Sequence, residues 1–260
     1  MPAVAAPTAL GEIILFQGLT VAELTKLNDL LHRKTFPAGT TFINAEQPGE
    51  AVYVIVDGAV KVFTEDTEGT EVILAILPAG EVVGELSLLD RGGRSANATA
   101  LEETTVFWMD RASFGECLRT MPEIHRNLFN LLCNRLRLAN ERIQSLSVQD
   151  VEGRVARQLL AFAEIYGREE NGAIVIPFRL TQGDLASLIG ATRVRVNQVI
   201  ATYKQRKYLS VDHNYRITIH NQDALSRRSR RPLLELNGEA GAGDSKTKPR
   251  LLEAGIGLGY

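Results

Sequence analysis

The chain reads as an α+β protein: an antiparallel β-roll, then a long helix, then a small helical unit closed by a hairpin. Three observations predict this order. Gly39, Gly49, Gly58, Gly69 and Gly80 recur every nine to eleven residues and separate short β-rich runs, the pattern of an antiparallel sandwich or roll. Phe129, Leu132, Leu136, Ala139, Ile143 and Leu146 recur at alternating spacings of three and four, which is a helical heptad stripe. Thr181 and Thr192 each precede a helical apolar pattern, with Gly190 between them, which reads as two short helices about a tight turn.

Taken in order, residues 1–11 carry no periodicity and read as unstructured. Thr20 with Glu23 forms a capping box, and Val21, Leu24, Leu27 and Leu31 follow at helical spacing. The roll spans roughly 33–110, with strands expected at Thr40–Ile43, Ala51–Val56, Val60–Phe63 and Val72–Leu77. The stretch 83–100 interrupts the pattern and Thr104–Met109 resumes it. A helix starts near Ala112, breaks around Pro122 and continues to about Leu146. Its apolar stripe fits two roles, a seam with a second copy of the helix or packing onto the roll. The flanking charges Arg135, Arg137, Glu141 and Arg142 favour the seam.

Asp150 opens a second unit, with Val151, Val155, Leu159 and Phe162 on one helix face. Gly167–Gly172 reads as a turn and Ala173–Phe178 as a strand. Thr181 caps a helix carrying Leu185, Ala186, Leu188 and Ile189. Gly190 turns the chain, and Thr192 caps a second helix with Val196, Val199 and Ile200 facing inward. Tyr208–Ile219 reads as a hairpin turning near His213 and Asn214, a wing. The divisions are therefore a roll over 12–119, the long helix over 120–149, a winged helix-turn-helix over 150–226, and a tail over 227–260. The tail is rich in Gly, Ala, Lys and Pro and is expected to be disordered.

Composition narrows the function. No apolar run approaches a membrane span, and no basic segment precedes an apolar core at the N-terminus, so a cytoplasmic protein without a membrane partner is expected. Two cysteines, Cys117 and Cys133, are too few for a disulfide framework or a four-thiolate cluster, and four scattered histidines give little support to a metal site. The absence of a His/Asp constellation argues against a phosphodiesterase, and no catalytic role is expected. The net charge of −2 conceals an asymmetry: residues 1–150 sum to −8 and residues 151–231 to +7. An acidic half joined to a basic half suggests a sensor joined to a nucleic-acid binder.

Two motifs carry the chemistry. The first is Val83-Gly84-Glu85-Leu86-Ser87-Leu88-Leu89, with Arg94-Ser95-Ala96 beginning nine residues after the glutamate. Glycine permits close backbone approach, a short turn leaves amide N–H groups unpaired, and one arginine adds a planar fork of donors. Glu85 remains to accept from sugar hydroxyls. The set suits a cyclic nucleotide, which carries one phosphodiester charge and one free ribose hydroxyl. The second motif is the pair of short helices, whose candidate DNA contacts are the caps Thr181 and Thr192 and then Arg193, Val194, Arg195, Asn197 and Gln198, with Lys204 further on. Arginine suits guanine, and asparagine or glutamine suits adenine, in the major groove of double-stranded DNA.

The order of roll, phosphate cassette, long helix and winged helix-turn-helix resembles the CRP/FNR superfamily of bacterial transcription regulators over roughly residues 12–226. The carrying motifs are Gly84-Glu85-Leu86-Ser87, Arg94-Ser95-Ala96, Asp150–Ala156 and Leu180–Ile200. The resemblance implies a homodimer on the long helices, with double-stranded DNA and RNA polymerase as further partners. It implies that Glu85 binds the ribose hydroxyl and that Arg94 and Ser95 bind the cyclic phosphate. The backbone of Gly84 and Ala96 then closes round it, and the base meets the long helix near Ala139 and Asn140. Cyclic AMP is the expected ligand; a cyclic GMP site, a vestigial cassette and the regulatory subunit of an enzyme are the alternatives. Two departures stand out. Enteric members carry threonine and serine where this chain has Ala139 and Asn140. In the second short helix they carry glutamate at Val194 and arginine at Gln198, so a different operator is expected.

Overall fold

The computed structural model describes residues 7–90 and 92–229; the expected tail beyond Ser229 lies outside the described residues. Strands β1 (His32–Phe36), β2 (Thr41–Ile43), β3 (Ala51–Asp57), β4 (Ala59–Glu65), β5 (Glu71–Pro78), β6 (Val82–Val83), β7 (Asn97–Ala100) and β8 (Thr104–Asp110) build the roll. They form two four-stranded antiparallel sheets, in the orders β1-β8-β3-β6 and β2-β7-β4-β5. Ile55, Val60, Val106, Ala98 and Ala100 fill the space between them and are at most 1% exposed. Gly58 turns β3 into β4 at φ +84°, where an added Cβ would lie 2.5 Å from the Glu103 carbonyl oxygen, so only glycine fits. The stretch 83–100 is not wholly irregular. It holds a one-turn helix α3 (Leu86–Leu89) and then β7, whose short residues Ala98 and Ala100 face the core.

Helices close one side of the roll. These are α1 (Pro7–Leu10), α2 (Val21–Leu30), α4 (Arg111–Thr120) and α5 (Pro122–Val148), with a 3₁₀ turn at Ile14–Phe16. The expectation of an unstructured start fails at α1, because Leu10 is fully buried among Leu15, Phe16, Leu27, Phe114 and Met121. Each such side chain contributes about 1.5–3 kcal/mol, enough to order a short segment that has no periodicity of its own. Thr20 accepts from the Glu23 amide while Glu23 accepts from the Thr20 amide, as the capping box requires.

Helix α5 has two faces. Ile124, Leu128 and Leu131 are buried against the roll, and Asn127 Nδ2 donates to the carbonyls of Leu15 (3.1 Å) and Gln17 (2.7 Å). Phe129, Leu136, Ile143 and Leu146 face outward and remain 53–67% exposed. The heptad stripe is thus largely distinct from the face that packs on the roll; only Leu132 touches that layer.

The second unit begins at α6 (Val151–Tyr166), capped by Asp150. It continues through β9 (Arg168–Glu170), β10 (Ala173–Val175), α7 (Gln182–Ile189), α8 (Arg193–Gln205), β11 (Leu209–Val211) and β12 (Ile217–Ile219) to α9 (Gln222–Ser229). The turn expected over 167–172 is a hairpin: Asn171 and Gly172 both take positive φ between Glu170 and Ala173, the two-residue loop that Asn-Gly favours. The expected strand over 173–178 ends at Val175. Helix α9 lies on α6 with Leu225 fully buried, so the first residues of the expected tail, 227–229, are helical.

The two units share a core. Ala59, Phe63, Ile73, Ile76 and Leu101 of the roll belong to the same buried cluster as Phe162, Phe178, Leu185 and Leu188 of the second unit, and α7 packs on β5. At its rim the Glu102 carboxyl is pushed up by burial and drawn back by Arg216 and Arg179 across the interface.

Candidate ligand cassette and nucleic-acid interface

The cassette is held from beneath by two arginines. Arg94, on the strand approach to β7, is 8% exposed and points inward. Its Nη1 donates to the Gly84 carbonyl (2.7 Å) and to Ser87 Oγ (2.9 Å), and its Nη2 to the Ala51 carbonyl (2.6 Å). These bonds use three of the five guanidinium N–H donors. Burial lowers its pKa, opposed by Tyr53 and Glu85, yet the group stays charged. Arg111 secures the same loop by donating to the carbonyls of Gly49 (2.5 Å) and Ser87 (2.8 Å). Gly84 sits at φ +86°, and a Cβ there would lie 2.5 Å from Arg94 Nη1. Its missing side chain is the space that Arg94 occupies.

A cavity opens beside this loop. Gly84, Glu85, Leu86, Arg94, Ser95 and Ala96 all line it, against an apolar wall that includes Ile43, Val62, Leu77 and Ala98. The structure therefore brings together all six of the cassette residues expected from sequence. Ser95 is exposed at the mouth and Glu85, 2% exposed, lies deep. A deep carboxylate, an inward arginine and an apolar wall suit a ligand with a hydroxyl, an anionic group and a flat face.

Ala139 and Asn140 stand apart. Both are exposed on the outward face of α5, and neither lines the cavity within one chain. The helix contributes Arg135 instead, one turn earlier. Its Nη1 donates to Glu85 Oε1 (2.7 Å), and its Nη2 reaches Glu81 Oε2 (3.1 Å) and the Val82 carbonyl. Its buried Nε has no partner among the described residues. The two carboxylates raise its pKa against the effect of desolvation. In the sequence Arg135 is only one of the charges flanking the heptad stripe. Fifty positions separate it from Glu85, and nothing local marks it.

The second interface is on α7 and α8. Thr181 and Asp184 form a capping box, and Gly190 ends α7 in the left-handed region at φ 64° and ψ 52°. Thr192 Oγ1 accepts from the Arg195 amide (3.3 Å) to start α8. Val196, Val199, Ile200 and Tyr203 bury one face of α8, and the opposite face is exposed: Arg193, Val194, Arg195, Asn197, Gln198 and Lys204. Arg195 Nη1 donates to Gln198 Oε1 (3.1 Å), so these two side chains act as a pair. Thr181, half-buried, spends its hydroxyl on Asp184 (2.5 Å). The wing turns on Asp212, whose Oδ1 accepts from the amides of Asn214 and Arg216, while Arg179 lies over the Tyr215 ring. Arginines at the start of an exposed helix beside a hairpin wing suit a major groove and its phosphates.

Comparison with known proteins agrees with both halves. Residues 33–121 match the cyclic nucleotide-binding domain and residues 153–228 the Crp-like helix-turn-helix domain. A CRP-like cAMP-activated global transcriptional regulator of Mycobacterium tuberculosis is 34% identical over 216 residues, covering 83% of this chain and 96% of that protein. A cyclic AMP receptor protein of Thermus thermophilus is 34% identical over 186 residues, covering 72% and 83%. Among solved structures, FixK2 from Bradyrhizobium japonicum shares the fold at TM-score 0.66 and 22% identity, covering 76% of this chain and 96% of that one. A CRP/FNR-family regulator of Thermus thermophilus shares it at TM-score 0.61 and 24%, covering 76% and 98%. Among the described residues no helix is long and apolar enough to cross a membrane. With a nucleotide-binding roll and a Crp-like DNA-binding unit in one chain, and with a relative matched over nearly its whole length, this protein belongs to the CRP/FNR family of transcription regulators and is not an enzyme.

Proposed function

We propose that the protein is a homodimeric regulator whose binding to double-stranded DNA is controlled by cyclic AMP held in the roll. The observation that carries the reading is the convergence of Glu85 and Arg94 on one cavity, with Gly84 kept bare to admit the arginine. Glu85 accepts the ribose hydroxyl through an oxygen that Arg135 leaves free. Arg94 offers its guanidinium charge to the cyclic phosphate, and Ser95 adds a hydroxyl at the mouth. Two relatives at 34% identity bear names that include cyclic AMP, which supports the choice of ligand. The exposed stripe of Phe129, Leu136, Ile143 and Leu146 supports pairing with a second α5. Such pairing brings Ala139 and Asn140 of each helix to the seam, with Asn140 the polar group available to a base. RNA polymerase is the further partner that a promoter-bound activator of this family would meet.

A second reading has one observation in its favour. Glu85 already accepts from Arg135, and Arg94 already spends three donors on the protein, as a cassette closed without a nucleotide would. Titration calorimetry with cyclic AMP and cyclic GMP separates the two. Saturable binding of cyclic AMP, with tighter DNA binding in its presence, is expected. No binding of either nucleotide, by calorimetry at two temperatures, would favour the closed cassette.

A further inference from the structure

One carboxylate outside the cavity is reached from both units. Glu81, 13% exposed at its side chain, stands just before β6. From one side it receives Arg135, the residue that also holds Glu85. From the other it receives Tyr166, the last residue of α6, whose hydroxyl donates to Glu81 Oε1 at 3.1 Å. The Tyr166 ring is fixed by an edge contact with Phe178 at 5.9 Å and a tilted one with Phe162 at 6.3 Å, both within the core of the winged unit. Arg142 lies near Tyr166 and reaches the Leu74 carbonyl of β5. A line of contacts therefore runs from Glu85 to Arg135, to Glu81, to Tyr166. It leaves out the connection between α5 and α6 at Gln149 and Asp150.

We propose that Glu81 is the coupling residue of this regulator: through Arg135 and Tyr166 it makes occupancy of the cassette and the seating of the winged unit on the roll stabilise each other. The inference rests on the nucleotide reading above. The physical reasoning is short. A sugar hydroxyl on Glu85 fixes the carboxylate that orients Arg135. Arg135 has one planar fork, so fixing one nitrogen fixes the other, and with it the carboxylate that Tyr166 must meet. A hydrogen bond from Tyr166 to a charged acceptor in a site this secluded carries about a tenfold bias when formed rather than broken. Coupling in binding is reciprocal, so seated winged units must also raise the affinity for nucleotide.

The test uses the full chain. Tyr166→Phe keeps the ring contacts and removes the one hydroxyl; Glu81→Gln keeps the shape and removes the charge. The quantity read is the ratio of DNA affinities with and without saturating cyclic AMP, on a site selected with the native protein. That ratio is expected to fall threefold or more in Tyr166→Phe and in Glu81→Gln, with both variants folded by circular dichroism. The double variant is expected to lose no more than Glu81→Gln alone, since both changes cut the same link. An unchanged ratio in folded Tyr166→Phe, while the native protein binds and responds to the nucleotide, would overturn the coupling role alone. Losses that multiply in the double variant would overturn it too. Failure of the native protein to bind cyclic AMP would overturn the ligand reading and this inference together.

Discussion

A methyl group at position 84 would have to occupy the place of Arg94 Nη1, on backbone at φ +86° that side chains other than glycine disfavour. Gly84→Ala is therefore expected to cost about 1–3 kcal/mol of stability, read from a denaturant midpoint. Displacing the guanidinium should also weaken cyclic AMP tenfold or more in a calorimetric titration. Arg94→Ala should lose at least as much affinity, since charge-assisted bonds are worth about 1.5–3 kcal/mol each. It should also cost stability, because the buried Ala51 carbonyl loses its arginine donor and the Gly84 carbonyl keeps only Ser87 Oγ. Cassette arginine and structural clamp are thus one residue, and Arg94→Lys, with charge but no fork, should recover little of either. The cysteines give an independent check on the packing. Burial pushes the Cys117 thiol up to about 11, while Cys133 is exposed. Native protein at neutral pH should take one thiol label per chain, at Cys133, and two after unfolding, counted by mass spectrometry.

Among the elements, α5 and α8 invite the sharpest tests. Leu136 is 62% exposed on the outward face of α5, so Leu136→Asp should leave the chain folded and convert a dimer to a monomer in sedimentation. An unchanged dimer would assign that face to something other than a second helix. On α8, Arg193 is exposed at the first helical position, and Arg195 is tied to Gln198. Selection from random DNA with Arg193→Ala should relax one base position in each half-site at a cost of about 1–3 kcal/mol. Arg195→Ala, if its partner is phosphate, should weaken all sequences alike and flatten the salt dependence by about one unit of slope. A full sequence logo from the Arg193 variant would move base reading to Arg195 or Gln198. These elements were legible because caps and apolar periods are local: Thr20, Thr181, Thr192 and Gly190 do in the structure what their neighbours in sequence imply. Elements that depend on distant partners were not. The helix at Pro7–Leu10 exists because Leu10 is buried, and α9 because α6 lies beneath it. Arg135 on an amphipathic helix looks like any solvated charge until β6 is brought beside it. The Asn171-Gly172 hairpin is the exception: its signal is local, but the strands it joins are only three residues each, so the sequence reads there as a plain turn.

At the scale of the whole molecule, the roll and the winged unit share one apolar core, yet they carry opposite charge, −8 over residues 1–150 and +7 over 151–231. That separation makes the protein a needle in the field of DNA. Before any contact forms, the polyanion should draw the basic half inward and turn the acidic half away. The gain lies in arrival rather than in grip. Raising salt from about one Debye length of 30 Å to one of 10 Å should slow association on DNA steeply. Departure from a selected site should change far less, because it is governed by close contacts already made. Stopped-flow or surface-based kinetics can read the two rates apart. A variant that neutralises acidic residues on the far side of the roll should lose part of the salt dependence of arrival without touching a residue that meets DNA. The acidic half, remote from the nucleic acid, would then serve as the tail feather that keeps the other half pointed at its target.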